Sequence, residues 1–411
     1  MSSGAALSSE LDAVAKDYVL LVLALGEHDG DFVDAYHGPA EWREQARTNA
    51  LTPAQIATAS QRLRNELDGI EPDDELVQQR VTLLGKQLLA VQTRAQQLDG
   101  VEFSFDQEAQ RLYDVLPPSL PQSHFDELLG QLDRLLPGEG SVSQRRNRLQ
   151  ADFEIPTDKL DAVFSEAIAE CQRRTQAYID LPEGERFVVE YVNDKPWSGY
   201  NWFQGDAYSL IQVNTDLPIY IDRAIDLACH EGYPGHHVFN TLLERELVEK
   251  RGWMEFSVYP LFSPMSLIAE GSANYGIQMA FPGDERERYE AEVLFPLAGL
   301  NSERVDEYYA IERLAEQLNH AGNEAARRYL DGDIDAATAQ IWLEDYALMS
   351  PERAAQRVRF IERYRSYVIN YNLGQDRVRE YVERGADAAS SRWQRFERLL
   401  STPISASMLQ Q

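Results

Sequence analysis

Three of the seven histidines in this sequence lie in one short stretch, and a glutamate directly follows the first of them. The stretch reads His230-Glu231-Gly232-Tyr233-Pro234-Gly235-His236-His237. Histidine is the commonest side-chain ligand of transition metals, and a carboxylate beside a metal can act as a general base on water. The pattern therefore indicates a hydrolytic metal site in which His230 is a ligand and Glu231 is the base.

The spacing leaves the second histidine ligand open. In the common zinc-peptidase pattern, two histidines four residues apart project from one face of a helix. Here the fourth residue after His230 is Pro234, which has no ligand atom. On a straight helix His237 would share the face of His230, and His236 would lie roughly 120° away from it. A proline kinks or ends a helix, however, so both later histidines are candidates.

A third ligand is predicted further along the chain, in a helix that starts near Pro264. Proline is typical of the first helical turn, and Glu270 then lies among apolar and small residues, where an unpaired carboxylate is costly to bury. A cation would remove that cost. Because two histidines and one glutamate form a catalytic zinc set with a position open for water, we predict one zinc ion at this site.

Two motifs together resemble those of a bacterial family called domain of unknown function 885, whose signatures are HExxPGHH and a later EGxAxY. The first matches the stretch from His230 to His237, and the second matches the stretch from Glu270 to Tyr275. The second is also similar to the third-ligand helix of the gluzincin aminopeptidases. The resemblance implies the helical zincin fold of the thermostable (Taq-type) carboxypeptidases and a zinc-dependent peptidase activity.

The same resemblance assigns roles to individual residues. It makes His230, His236 and Glu270 the metal ligands and Glu231 the base, with His237 as the alternative to His236. The family also carries a Tyr-x-x-Gly motif near its C-terminus, which begins here at Tyr371. The Pro-Gly-Gln run that precedes this motif in the family is missing from the chain. A catalytic role for Tyr371 is therefore an expectation from only part of that motif.

Four further residues are expected to support the site. Asp226, one helical turn before His230, is predicted to hold the other ring nitrogen of that histidine, and Asn274 is predicted to do the same for the carboxylate of Glu270. Arg365 is predicted to orient a substrate carbonyl or carboxylate. Its neighbourhood is read as one long helix that starts at Ser350 and Pro351 and continues to about residue 371.

The one β region predicted from alternation comprises residues 187–192 and 209–214, which we interpret as a hairpin. Zincins use such an edge strand to pair with an extended peptide. The loop between the two strands is rich in aromatic residues, which are typical of ligand clefts. Trp197, Tyr200 and Asn201 on this loop are therefore predicted to bind substrate, with filling of the core as the alternative.

The rest of the chain reads at helical period, which predicts a mainly α fold in a single domain. Residues 1–180 form a helical scaffold half, residues 185–280 the metal-site core, and residues 281–411 a set of C-terminal helices. Capping signals predict individual helices, for example at 53–67 after Thr52 and from Ser141 onward. A small sheet or hairpin is expected beside the active-site cleft.

Composition narrows the possible partners and the location. Acidic residues exceed basic ones by 68 to 39, a formal charge of −29, which argues against nucleic acid or an anionic membrane as a partner. The two cysteines, Cys171 and Cys229, are too few for a disulfide framework, and we interpret Cys229 as a buried thiol. No signal peptide or membrane-spanning run is recognised, so a cytoplasmic location is predicted.

Three functions are compatible with these features. The first is a zinc metallopeptidase acting on a peptide, and the second is a hydrolase of a small amide or ester that uses the same chemistry. The third is a degenerate zincin that binds a peptide or metal without turnover, which the altered spacing favours. The Glu231 base favours the first two. The substrate, the choice between endopeptidase and exopeptidase, and the oligomeric state are not determined by the sequence.

Overall fold

The structure is a computed structural model, and it describes residues 3–195 and 197–410. Helical residues make up 66% and strand residues 7%, which confirms the prediction of a mainly α fold with a small sheet. The α-helices in chain order are α1 (Ser3–Gly26), α2 (Ala40–Asn49), α3 (Pro53–Leu67), α4 (Glu75–Leu98), α5 (Phe105–Tyr113), α6 (Gln122–Leu135), α7 (Val142–Ala151), α8 (Leu160–Gln176), α9 (Asp222–Leu227), α10 (His236–Leu243), α11 (Pro264–Ala280), α12 (Glu285–Tyr289), α13 (Phe295–Ala298), α14 (Val305–Glu316), α15 (Ala321–Leu330), α16 (Ala336–Tyr346), α17 (Pro351–Tyr364), α18 (Ile369–Glu383) and α19 (Ala389–Ser401).

Local capping chemistry explains where several of these helices begin. The Thr52 hydroxyl accepts a hydrogen bond from the backbone of Gln55, and the Gln55 side chain accepts one from the backbone of Thr52. Ser141 and Gln144 form the same reciprocal pair before α7. Each pair satisfies two backbone donors that the first helical turn leaves without partners. The predicted starts of α3 and α7 are confirmed.

The strands are β1 (Val33–Tyr36), β2 (Arg186–Val192), β3 (Gly199–Phe203), β4 (Tyr208–Asn214) and β5 (Val258–Pro260). β1 pairs with β5, and the larger sheet has the order β2-β4-β3. β4 is parallel to β2 and antiparallel to β3. The prediction that residues 187–192 and 209–214 form a hairpin is therefore wrong. The connecting segment is long enough to cross back, and its aromatic part forms the third strand.

Helix α11 lies at the centre of the fold. Its residues are buried on almost every side, as expected for a helix that is apolar around its whole circumference. The buried apolar side chains form one connected core that extends from Leu11 on α1 to Leu409 near the C-terminus. Among the described helices, none combines the length and the apolar character that a membrane span requires.

The predicted long helix after Pro351 is interrupted, so that prediction is wrong in its extent. α17 ends at Tyr364, Arg365 has a positive φ of 53°, and a short 3-10 turn leads into α18. The cause is Glu108 on α5, whose carboxylate accepts hydrogen bonds from the Ser366 backbone at 3.0 Å and from Arg365 Nε at 2.6 Å. A side chain from a helix that is distant in the sequence thus holds the backbone at the break by hydrogen bonding.

Cys171 and Cys229 form a disulfide, with their Cα atoms 5.6 Å apart. Both residues are fully buried. The interpretation of Cys229 as a free buried thiol is correct about burial and wrong about bonding. The two residues are 58 positions apart in the sequence, and they meet because α8 packs against the helix that carries the histidine motif. That packing is not visible in the local pattern.

Candidate metal site

The chain path through the histidine motif decides which histidines meet. α9 continues through a π-helical turn from Ala228 to Gly232, Tyr233 is extended, and a new helix begins at His236. The Gly235 N–H donates to the Cys229 carbonyl at 2.9 Å. A Cβ atom at position 235 would overlap the backbone carbonyl of His230, so only glycine permits this close return. The break lets the new helix place His236 beside His230.

Three ligand atoms converge at this point. Nε2 of His230 and Nε2 of His236 are 3.1 Å apart, and they lie 3.4 Å and 3.7 Å from Oε2 of Glu270. Two ligands about 2.1 Å from a tetrahedral zinc ion lie about 3.4 Å apart. The observed triangle therefore has the size that one zinc ion requires. The two imidazoles keep 14% and 13% of their side-chain exposure, so the cluster can be reached from the cleft.

His237 points away from this cluster into the core. Its Nδ1 lies 2.8 Å from Oγ of Ser209, and its Nε2 lies 2.8 Å from Oε2 of Glu185. Tyr233 donates a further hydrogen bond to the same carboxylate oxygen. His237 is fully buried and both of its ring nitrogens have partners. The geometry thus brings together the preferred set of His230, His236 and Glu270, and it leaves out the alternative histidine.

The orientation of His230 is set by Asn274. Nδ2 of Asn274 donates to the Tyr371 carbonyl at 2.8 Å, so the amide oxygen faces the other way and lies 2.9 Å from His230 Nδ1. An oxygen acceptor requires a proton on Nδ1. In neutral imidazole, Nε2 then carries the lone pair, and that lone pair is available for a metal.

Two predicted supporting contacts are wrong. Asp226 pairs with Arg223 at 3.0 Å and with Arg286 at 2.9 Å, and neither of its oxygens is bonded to His230. Asn274 does support a ligand, but that ligand is His230 and not the glutamate. A carboxylate beside two arginines is already neutralised, which explains why Asp226 is not drawn toward the histidine.

The Glu270 carboxylate is held by one tyrosine and is otherwise open to the cluster. The Tyr367 hydroxyl donates to Oε1 at 2.7 Å, and Oε2 has no hydrogen-bond partner among the described residues. Burial favours the neutral acid, but the imidazoles of His236 and His230 outweigh it and hold the pKa of Glu270 well below its usual value. An ionised, buried oxygen without a donor is the expected state of a metal ligand.

The Glu270 carboxylate also changes the pKa of His236. Burial disfavours the imidazolium, yet the nearby Glu270 carboxylate outweighs burial and raises the pKa of His236 to about 9. The two Nε2 atoms that face each other cannot both present a lone pair without repulsion. A proton or a metal ion between them removes that repulsion. The site therefore favours a cation at its centre.

Glu231 and Tyr371 both lie on the cleft that contains this cluster. Glu231 is buried at 4% exposure, and its backbone carbonyl accepts a hydrogen bond from Asn201 Nδ2 at 2.7 Å. The Tyr371 ring packs at 5.8 Å from that of Tyr367. Burial and the charge of Glu270 raise the pKa of Tyr371 well above its ordinary value. The Tyr371 hydroxyl therefore stays protonated and can donate a hydrogen bond.

The three predicted substrate-binding residues of the aromatic segment, Trp197, Tyr200 and Asn201, make different contacts. Trp197 and Tyr200 stack with their rings 5.4 Å apart on the cleft wall, but the Tyr200 hydroxyl is committed to Oδ1 of Asp34 at 2.6 Å. Burial raises the pKa of Asp34 to about 6, and the hydrogen bond from Tyr200 opposes that rise. Asn201 anchors the motif backbone through its amide nitrogen.

Arg365 does not face the cleft. It is ion-paired with Glu108 at the break between α17 and α18, so its predicted role in substrate orientation is wrong. Arg357, two turns earlier on α17, does line the cleft. The sequence reading missed it because α17 is rich in arginine. A signal was present, since Arg357 shares a helical face with Phe360 and Tyr364 at spacings of three and seven residues.

The cleft has a volume of about 2060 Å³ and is lined by residues from both the N-terminal and the C-terminal helices. Small-molecule sites usually enclose about 300–1,000 Å³. The metal-site cluster lies on one wall of a space that can hold a chain of several residues.

No protein-family model matches the sequence, and no curated protein matches it. Seven chains of solved structures match the fold. The putative lipoprotein from Colwellia psychrerythraea aligns over 89% of this chain and 70% of its own, with a TM-score of 0.53 at 14% identity. The BsuCP crystal structure aligns over 96% and 88% with a TM-score of 0.49 at 10% identity. A lipoprotein of unknown function from Shewanella oneidensis covers 88% and 79%, with a TM-score of 0.46 at 13% identity. At 14% identity the first of these likenesses shows a shared fold and nothing further.

Proposed function

We propose that the protein is a zinc-dependent hydrolase and that its substrates are peptides. One observation carries the proposal. Nε2 of His230, Nε2 of His236 and Oε2 of Glu270 form a triangle of zinc-sized edges, and the carboxylate oxygen has no hydrogen-bond partner in the described chain. The motif resemblance to domain of unknown function 885 supports the same ligand set.

The residues around the triangle fit the roles that metal-assisted hydrolysis requires. Zinc, when bound there, would polarise the scissile carbonyl and lower the pKa of a water molecule toward neutrality. Glu231, on the cleft wall, takes a proton from the attacking water and passes it to the leaving amine. The Tyr371 hydroxyl, which stays protonated, donates to the carbonyl oxygen as negative charge develops on it.

Supporting contacts keep the ligands in place. Asn274 holds the proton of His230 on Nδ1, so that Nε2 keeps its lone pair, and Tyr367 orients the Glu270 carboxylate through Oε1. A cleft of about 2060 Å³ favours a peptide over a small amide or ester. β3 lies at the edge of its sheet, so its free side offers main-chain groups with which an extended peptide can pair.

The altered spacing of the motif favoured a degenerate zincin as the alternative function. In the fold, however, Tyr233 to Gly235 form a non-helical connection that returns the second histidine to the first. The spacing thus no longer argues against catalysis. A cytoplasmic location stays a prediction, and the disulfide between Cys171 and Cys229 counts against it, because such bonds persist mainly in oxidising compartments.

The test combines metal analysis with a peptide-library digest. We expect one zinc ion per chain after zinc supplementation, cleavage that a chelator abolishes, and recovery on adding zinc back. Glu231→Gln should keep the metal and lose turnover, since the amide keeps the shape and lacks the basic oxygen. A chain that takes up no zinc would overturn the proposal, as would a Glu231→Gln variant with near-normal cleavage.

A further inference from the structure

Strand β2 forms one edge of the larger sheet, and no other described strand lies on its outer side. It pairs with β4 in continuous register over its whole length, without a bulge. It contains no proline or lysine, the residues with which edge strands are commonly protected against pairing with another chain. The described lining of the cleft includes none of its residues. β2 is therefore a regular, unprotected edge on a surface that the metal site does not use.

The main-chain groups on the outer side of β2 have no hydrogen-bond partners among the described residues. The Arg186 N–H donates to the Ala207 carbonyl at 3.1 Å, and the Val192 carbonyl accepts from Thr215 at 3.0 Å. Residues at even positions thus face β4. Because successive residues of a strand direct their main-chain groups to opposite sides, positions 187, 189 and 191 face outward. They form a row of donors and acceptors with which a further strand can pair.

The side chains on the solvent face of β2 carry opposite charges on either side of an apolar residue. Arg186, Val188 and Glu190 alternate along this face, and all three are exposed. Arg186 donates a long hydrogen bond of 3.4 Å to the Gly184 carbonyl, and Glu190 accepts one of 3.3 Å from Gln212. Neither charge forms an ion pair within the described ranges. Rotation of this strand by 180° about Val188 exchanges the positive and the negative position.

We propose that two copies of the chain form a dimer in which the β2 strands pair antiparallel, with a two-fold axis at Val188. Arg186 of each copy then lies opposite Glu190 of the other, and the two Val188 side chains face each other. Since the outward main-chain groups belong to odd positions, these pairs occupy the non-hydrogen-bonded sites, where opposite side chains are closest. The two three-stranded sheets become one continuous sheet, joined by about four main-chain hydrogen bonds.

The charges select this register over its neighbours. An axis at Phe187 or Val189 would place both charges opposite uncharged residues. An axis at Arg186 or Glu190 would place like charges opposite each other, which is destabilising. Parallel pairing in register would also bring like charges together. A second copy of the chain in the proposed register thus meets both the charge and the main-chain requirements of the edge, and it leaves the cleft of each copy open.

Charge reversal with exchange of partners tests the interface. In sedimentation velocity at about 0.15 M salt, which screens the charge of −29 on each copy, the wild type should sediment as a dimer. Glu190→Arg and Arg186→Glu should each weaken the dimer at least about tenfold, because like charges then lie opposite each other. An equimolar mixture of these two variants should form a dimer again, since every facing pair in the mixed dimer has opposite charges.

Two further variants separate the interface from general effects of charge and folding. Glu71→Arg, an exposed position in the loop before α4, makes the same change in net charge as Glu190→Arg and should leave the dimer intact. Val189→Pro removes an outward N–H and keeps the pairing with β4, because proline is tolerated where the missing N–H faces away from the sheet. It should be monomeric, with the circular dichroism of the wild type.

Three results would overturn the inference. The first is a wild type that sediments as a monomer, which would leave the edge to a strand of another protein. The second is a dimer that survives both Val189→Pro and Glu190→Arg, which would place the interface elsewhere. The third is a mixture of the two charge variants that stays monomeric while each variant is folded. None of these measurements depends on zinc or on cleavage, so they are independent of the proposed function.

Discussion

Gly271 and Gly374 lie against each other where α11 crosses α18, and a Cβ atom on Gly271 would overlap the backbone of Gly374. Gly271 directly follows the proposed ligand Glu270, and Gly374 ends the Tyr-x-x-Gly motif that begins at Tyr371. The two glycines thus let α18 approach α11 closely enough for Tyr367 to reach the Glu270 carboxylate. Contact between the two helices is a condition for the geometry of the site.

Gly271→Ala is expected to reduce both stability and zinc affinity. The methyl group must push the two helices apart, and overpacking of this kind typically costs about 1–3 kcal/mol. Chemical denaturation and zinc competition with a chromophoric chelator measure the two effects. Gly322→Ala is the matched control, because position 322 on α15 has open space around it. Equal stability of the two variants would contradict the close packing.

The two adjacent histidines should differ in what their loss affects. His236→Ala should lose most of its bound zinc, since it removes one of three ligands. His237→Ala should retain zinc and lose stability, because it leaves the buried Glu185 carboxylate and the Ser209 hydroxyl without their partner. Metal content and thermal unfolding of both variants decide the matter. Full zinc occupancy in His236→Ala would refute the assignment.

Asn274→Ala should weaken zinc binding about 10- to 100-fold, the usual effect of removing a group that orients a histidine ligand. The reason is the hydrogen bond that holds the proton on His230 Nδ1. Asp226→Asn, at the position first expected to do this, should leave zinc affinity unchanged and affect only the buried arginine pairs. The opposite pattern of affinities would restore the original expectation.

The burial of Glu290 should make the stability of the folded protein depend on pH. This fully buried carboxyl lies beside Arg286 and Tyr309. Burial raises the pKa of Glu290 from 4.5 to about 7, and Arg286 only partly opposes that rise. Between these values the folded chain holds the proton that the unfolded chain has lost. The stability that Glu290 contributes is therefore fully present below about pH 4.5 and decreases up to about pH 7.

The size of that decrease is on the order of 3 kcal/mol. Urea denaturation of the wild type and Glu290→Gln at several pH values between 4.5 and 7 measures it. The glutamine variant cannot ionise at this position, so its stability should fall less over the range. Parallel curves for the two proteins would show that Glu290 is ionised in the folded state.

The disulfide makes a prediction about thiol content and stability. Denatured protein that has not been reduced should show no free thiol, and reduced protein should show two. Replacing both cysteines with alanine should cost about 2–4 kcal/mol, because the bond closes a loop of 58 positions in the unfolded chain. Two free thiols in unreduced protein would contradict the bond.

Much of this protein is readable from local pattern alone. Helical periodicity and the caps at Thr52 and Ser141 determine short-range structure, because their hydrogen bonds join residues three positions apart. His230, Glu231 and Glu270 can also be recognised from the sequence. Clustered histidines next to a glutamate, with a second glutamate in a later apolar segment, indicate a hydrolytic metal site. The mainly α fold follows from these signals, and so does the proposal of His230 and Glu270 as ligands.

Tertiary structure decided the rest. The choice of His236 depends on the return of the chain at Gly235, the disulfide depends on α8 meeting the motif helix, and the end of α17 depends on Glu108 from another helix. The order of the sheet likewise depends on pairing between segments that are far apart in the sequence. A local pattern records which side chains a segment offers. The distant groups that these side chains contact are determined only when the whole chain packs. The reason is that an ion pair or a close backbone approach depends on both of the segments that form it.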